Sequence, residues 1–124
     1  MAEKIKFPDG REVDIHEFIA FMYGLSKSDV ELLHMLMMEG KMTTDDIASK
    51  LNVTKASISK SLNSLIDKGL VEREKVQSED KRKGRPNFMY WVDREKLYSR
   101  LDIDLEKLLT TLKGSIQKTM TVAI

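Results

Sequence analysis

The side chains with the clearest chemical capacity lie between Thr54 and Arg85. Thr54, Lys55, Ala56, Ser57, Lys60 and Ser64 fall close together in T-K-A-S-I-S-K-S-L-N-S. At about 100° per residue, a helix that turns Ile58, Leu62, Leu65 and Ile66 inward sends Ala56, Ser57, Lys60 and Ser64 outward. Asn63 and Asp67 then sit near the edge of that face. Small and hydroxylated side chains let a helix backbone approach a groove floor. Lysine reaches phosphate or guanine, and serine bonds several base edges. The positive end of the helix, near Thr54 and Lys55, suits a phosphate. An ordinary solvated face would carry both signs of charge, yet no Asp or Glu occurs from residue 47 through 66 in a chain that is 33% charged. That asymmetry points to duplex nucleic acid.

A second basic element follows. Lys81, Arg82, Lys83, Gly84, Arg85 and Pro86 place four positive charges in a hexapeptide. Each phosphate such a loop neutralises releases condensed counterions, which adds affinity that is salt-sensitive and independent of sequence. Gly84 permits unusual backbone angles and Pro86 fixes the exit, so Arg85 is presented on a constrained turn. An arginine so held can probe a narrow A·T-rich minor groove, where negative potential is concentrated. From Lys50 to Pro86 ten basic residues stand against five acidic ones, a net of +5. With a formal net charge of +1 for the whole chain, the remainder carries −4. One basic surface and an acidic body fit a polyanionic partner.

Other chemistry finds little support. The chain has no cysteine, hence no disulfide framework, thiolate metal site or cysteine nucleophile, and His16 and His34 are its two histidines. No paired carboxylates, metal-ligand spacing, glycine-rich phosphate loop or Ser/His/Asp set stands out, so no enzyme, no cofactor and no metal are expected. No apolar run approaches the roughly 20 residues that span a bilayer, and the N-terminus lacks a secretory signal. A cytoplasmic, nucleoid-associated protein is expected. The eight methionines and His34 read as core filling rather than a ligand cavity.

These residues need a scaffold, and 124 residues provide one core. Ile5 and Phe7, then Pro8-Asp9-Gly10, then Val13 and Ile15 predict an N-terminal β-hairpin. Phe18, Ile19, Phe21 and Met22 suit a short buried helix ending at Gly24. Ser26 with Asp29 resembles a cap for a helix carrying Val30, Leu32, Leu33, Leu36 and Met37, which Gly40 stops. Thr43 with Asp46 opens a short helix bearing Ile47, Ala48 and Leu51. After a turn of about four residues, Thr54 caps the next helix, which Gly69 ends. The pair is a helix-turn-helix. Two strands, Leu70 to Gln77 and Phe88 to Val92, flank the basic loop in the order of a winged helix. Beyond a cap at Asp93 the chain reads as helix, with Leu101, Leu105, Leu108, Leu112 and Ile116 on one stripe that Leu109 and Met120 widen. Asp102 and Asp104 could break it in two.

A helix over residues 94–120 would span about 40 Å, whereas a core of roughly 80 residues is about 25–30 Å across. The excess apolar length predicts a homodimer through Leu101, Leu105, Leu108, Leu112 and Ile116. Residues 1–93 would then form the DNA-binding domain and residues 94–124 the dimerisation helix. A two-fold dimer would set its recognition helices about 34 Å apart on a palindrome if they enter successive major grooves.

Three segments carry a family resemblance: L-S-K-S-D-V-E-L-L (25–33), M-T-T-D-D-I-A-S-K-L-N-V-T-K-A-S-I-S-K-S-L-N-S-L-I-D-K-G-L-V-E-R (42–73) and K-G-R-P-N-F-M-Y (83–90). Over roughly residues 18–120 the chain resembles winged helix-turn-helix transcription regulators of the MarR/TrmB type. The third segment is similar to the wing of the small archaeal Lrs-like regulators. The resemblance implies a homodimer held by C-terminal helices, Lys55, Ala56, Ser57 and Lys60 at the major groove, Arg85 in the minor groove, and no enzyme activity. The sugar-binding domain of larger TrmB-type proteins has no counterpart, and the hairpin replaces the long first helix of MarR proteins, which leaves a small-molecule effector open.

The resulting expectation is a mainly α winged helix-turn-helix with a small β component. It would be a sequence-specific, double-stranded-DNA-binding transcription regulator, with repression favoured because a small protein acts most simply by blocking polymerase. The alternatives are an architectural chromatin-type DNA-binding protein and a winged helix used as a protein-interaction module.

Overall fold

The computed structural model describes residues 3–76 and 87–123. The order of elements is β1 (Lys4–Lys6), β2 (Glu12–Asp14), α1 (Ile15–Tyr23), α2 (Lys27–Glu39), β3 (Met42–Thr43), α3 (Thr44–Leu51), α4 (Lys55–Asp67), β4 (Glu72–Val76), β5 (Asn87–Trp91) and α5 (Arg94–Ala123). The chain divides into two compact units, Met1–Val92 and Asp93–Ile124. Helices dominate and the β component is small, as the sequence predicts.

In the first unit, β1 and β2 form the N-terminal hairpin, with Ile5 opposite Val13. Ile15 opens α1 rather than extending the strand, because Asp14 caps the helix by accepting from the His16 N–H at 2.7 Å. A short buried helix was the expectation for α1. None of its residues is buried, and Phe21 is 87% exposed. It is apolar around much of its girth, and β2 and α2 cover only part of that.

Two reciprocal caps start the next helices. Asp29 N–H donates to Ser26 Oγ while Ser26 N–H donates to the Asp29 carboxylate, both at 3.1 Å. Thr43 and Asp46 do the same at 3.2 Å. Each box satisfies donors that a helix start leaves orphaned. The fully buried side chains are Leu32 and Leu36 of α2, Ile47 of α3, and Leu62 and Leu65 of α4. Met42 joins this core, whereas Met38 is exposed and fills no gap in it.

The sheet has the order β3-β5-β4 and is antiparallel throughout. The strand β3 was not anticipated. Two residues leave no alternation to read, and pairing with Met89 and Tyr90 of β5 defines it.

In the second unit Asp93 caps α5 by accepting from the Lys96 N–H at 3.1 Å. The helix runs unbroken for 30 residues, about 45 Å. The break considered at Asp102 and Asp104 does not occur. Asp102 is exposed, and Asp104 lies one turn from Arg100, with Nε and Oδ2 3.6 Å apart. An aspartate that reaches solvent or a cation on the next turn does not interrupt a helix.

Candidate nucleic-acid interface

The helix-turn-helix is built by α3, a connection over residues 52–54, and α4. The connection is one residue shorter than the sequence reading. Asn52 closes α3 in the left-handed region, at φ 54° and ψ 46°, a conformation that asparagine tolerates better than most residues. Its N–H and that of Val53 both donate to the Ala48 carbonyl. Thr54 then caps α4, its hydroxyl accepting from the Ser57 N–H at 3.2 Å. Ile58, Ser61, Leu62 and Leu65 are buried behind the helix. Their packing fixes which side of α4 is left open.

At the other end Lys68 caps α4 and Gly69 takes φ 74°. Leu70 N–H donates to the Leu65 carbonyl and Gly69 N–H to the Ile66 carbonyl, both at 2.9 Å. That bonding is a Schellman motif. Leu70 and Val71, both buried, carry the chain from it into β4.

Thr54, Lys55, Ala56, Ser57 and Lys60 are all exposed. Ser64 is half-buried and accepts from Lys68 Nζ at 2.9 Å. Ser57 and Ser61 line a crevice of about 40 Å³ with Ser28, Glu31 and Leu32 of α2. Ser57 and Ser61 therefore lie on the flank toward α2. The open side instead presents Ala56, Lys60 and Asn63, with the exposed Ser59 beside them. Ser59 lies off the outward face that a single inward stripe predicts. A helix packed against both α2 and α3 is covered over a wider arc, which turns the exposed set.

The cations differ in their partners. Lys55 Nζ lies 2.5 Å from Asp45 Oδ1 at the start of α3, and Lys50 pairs with Glu39 at 2.9 Å. Lys60 makes no ion pair among the described residues. At the sheet, Lys41 sits 4.5 Å above the Trp91 ring and 3.1 Å from Glu74, while the Arg73 guanidinium stacks 4.8 Å from Phe88. The paired ends of the two long strands are Val76 and Asn87. The residues that join them in sequence include Lys81, Arg82, Lys83, Gly84 and Arg85 and lie outside the described residues.

Along α5, Leu101 and Leu108 are half-buried, and Leu105, Leu109, Leu112, Ile116 and Met120 are exposed. Near the N-terminus, His16 Nδ1 lies 3.0 Å from Asp14 Oδ1, and the His16 and His34 rings meet edge to face at 5.0 Å. The backbone N–H of His16, and then its ring, hold the Asp14 carboxyl below the ordinary carboxylate range. Among the described residues no group of three His, Cys, Asp or Glu could hold a metal ion, and no helix is long and apolar enough to cross a membrane.

A family profile described as "Sugar-specific transcriptional regulator TrmB" matches residues 19–102. No curated protein matches the chain. Among solved structures, one described as a possible transcriptional regulator from Methanosarcina mazei Go1 superposes with a TM-score of 0.78 at 15% identity, covering 95% of this chain and 98% of its own. A protein from the thermoacidophilic archaeon Sulfolobus tokodaii gives 0.64 at 21% identity, over 81% and 92%. A transcriptional regulator homologue from Pyrococcus horikoshii OT3 gives 0.53 at 17%, over 81% and 94%. At these identities the likeness is one of fold.

Proposed function

We propose that this chain, which belongs to the TrmB family of transcriptional regulators, grips duplex DNA as a homodimer, with α4 in the major groove and the basic loop between β4 and β5 at the minor groove. One observation carries the reading. The start and open side of α4 are exposed, the sequence carries no Asp or Glu from residue 47 through 66, and Ile58, Leu62 and Leu65 are buried behind the helix. Lys55, Ala56 and Lys60 face the groove, Thr54 presents the positive end of the helix, and Ser57 and Ser64 contribute from the edge. Lys81, Arg82 and Lys83 neutralise phosphates, and Arg85, next to Gly84 in the sequence, enters the minor groove.

The dimer is supported by α5. An exposed stripe from Leu105 to Met120 is longer than an isolated soluble helix keeps in water, and contiguous apolar surface of this kind marks an interface. A second copy covers it through Leu101, Leu105, Leu108, Leu112 and Ile116. Phe21 of α1, 87% exposed, offers further apolar area. Two copies on one palindromic site then regulate by occupying promoter DNA, repression being the simplest consequence.

A footprint on DNA upstream of the gene, followed by titration of the protected segment against a scrambled duplex of equal composition, tests this. The expected outcome is a two-fold symmetric footprint and a clear preference for the protected segment. Equal affinity for both duplexes would indicate an architectural role instead. Absence of binding to either in dilute buffer would remove the reading.

A further inference from the structure

The doubled aspartate that opens α3 is chemically asymmetric. Asp46 closes the capping box with Thr43 and is occupied there. Asp45 takes no part in that box; its carboxylate reaches across to Lys55, the first residue of α4. Both partners are more than two-thirds exposed, so the pair lies in water and exchanges readily with other ions. Lys55 sits where a recognition helix meets DNA. Its ammonium thus has two competing anions, a carboxylate from its own chain and a phosphate of the duplex.

Resting on the DNA-binding reading above, we propose that Asp45 is a specificity-determining residue that withholds Lys55 from DNA until α4 is seated in a matching groove. On non-matching DNA the protein is held by loose phosphate contacts and α4 is not fully docked. Asp45 keeps Lys55 there, and one phosphate goes uncontacted. On a matching site the base contacts of α4 hold the helix in the groove. The local density of phosphate then displaces the carboxylate, and Lys55 adds its charge. The pair lowers sequence-independent affinity while sparing the specific complex, and so widens the ratio between them. The other described ion pairs of this region, Lys50–Glu39 and Lys41–Glu74, do not involve α4.

The test uses the full chain and fluorescence anisotropy across a salt series. The probes are a scrambled mixed-sequence duplex and the footprinted segment. For Asp45→Asn the scrambled duplex should bind about eightfold more tightly at 0.1 M salt, with the log–log salt slope steeper by about 0.9, the increment of one further phosphate contact. The slope for the footprinted segment should stay as in the unmodified protein. In a Lys55→Gln background, Asp45→Asn should no longer change either slope. The same gain on both duplexes, or a gain that persists in the Lys55→Gln background, would overturn the proposal, because it would show only general relief of negative charge. An unchanged slope on the scrambled duplex would overturn it too. Thermal melts of each variant separate these effects from any loss of α3 stability. If the unmodified protein binds neither duplex, the DNA-binding reading itself falls, an outcome distinct from any of these.

Discussion

At the scale of single residues, the chemistry of this chain is one of held and released charge. Asp14 shows the held case. The His16 backbone N–H and ring stabilise its carboxylate and keep it below the ordinary range. A carboxylate depressed in the folded state stabilises the fold above its unfolded value, and that contribution is lost as pH falls through about 4 and below. Asp14→Asn keeps a capping side chain but removes the charge. Melting temperatures taken from pH 7 down to pH 3 should therefore fall less steeply for Asp14→Asn than for the unmodified protein, with the two curves converging at the acid end. Parallel curves would show that the carboxylate charge contributes nothing to folding. On the proposed reading Arg85 is the charge given to DNA, in a groove whose negative potential depends on width. Arg85→Ala should weaken binding most on A·T-rich duplexes, measured against G·C-rich duplexes of equal length at one salt concentration. Equal loss on both would assign Arg85 to phosphate alone.

At the scale of elements, the helix boundaries were the most legible part of the sequence, because they depend on short side chains at fixed spacing. Ser26 with Asp29, Thr43 with Asp46, and Thr54 alone all cap the helices they precede. Glycine carries the opposite signal, and Gly69 does so at the exit of α4. Its φ of 74° allows Leu70 to bond back to Leu65 while both side chains enter the core. Gly69→Ala imposes a Cβ on that left-handed residue and should cost about 1 kcal/mol. Denaturant titration should show a lower midpoint with unchanged slope. A midpoint equal to that of the unmodified protein would mean that the exit turn relaxes at no cost. What the sequence concealed has physical reasons as well. The two-residue β3 is created by a partner strand. The sides of α4 depend on α2 and α3 packing against it together, so Ser57 and Ser64 share a predicted face with Lys60, while in the structure Ser57 lines a crevice with α2 and Ser64 is half-buried. The apolar character of α1 was plain, but its exposure could not be read from its own residues.

At the scale of the whole molecule, α5 buries Leu97 in its first turn and carries an exposed apolar stripe further along. A helix of 30 residues carrying Leu105, Leu109, Leu112, Ile116 and Met120 at 37–64% exposure has more apolar surface than its own chain covers. Burying the half that each of these side chains still exposes against a second copy is worth about 1 kcal/mol each before the costs of association. A charge in the middle of the stripe removes that gain and adds the desolvation of an ammonium. Two copies of Leu112→Lys would bring two such ammonium groups into one interface. Leu112→Lys should therefore shift the protein from dimer to monomer in sedimentation equilibrium, while far-ultraviolet circular dichroism retains the helix-turn-helix signal. DNA binding then becomes the decisive readout. A dimer on a palindrome gains from linkage, because the second half-site is met at high effective concentration. Loss of the dimer should weaken binding to the full palindrome by at least tenfold and leave binding to a single half-site almost unchanged. Equal affinity of both proteins for the palindrome would mean that each copy binds alone and that pairing through α5 adds nothing to the hold on DNA.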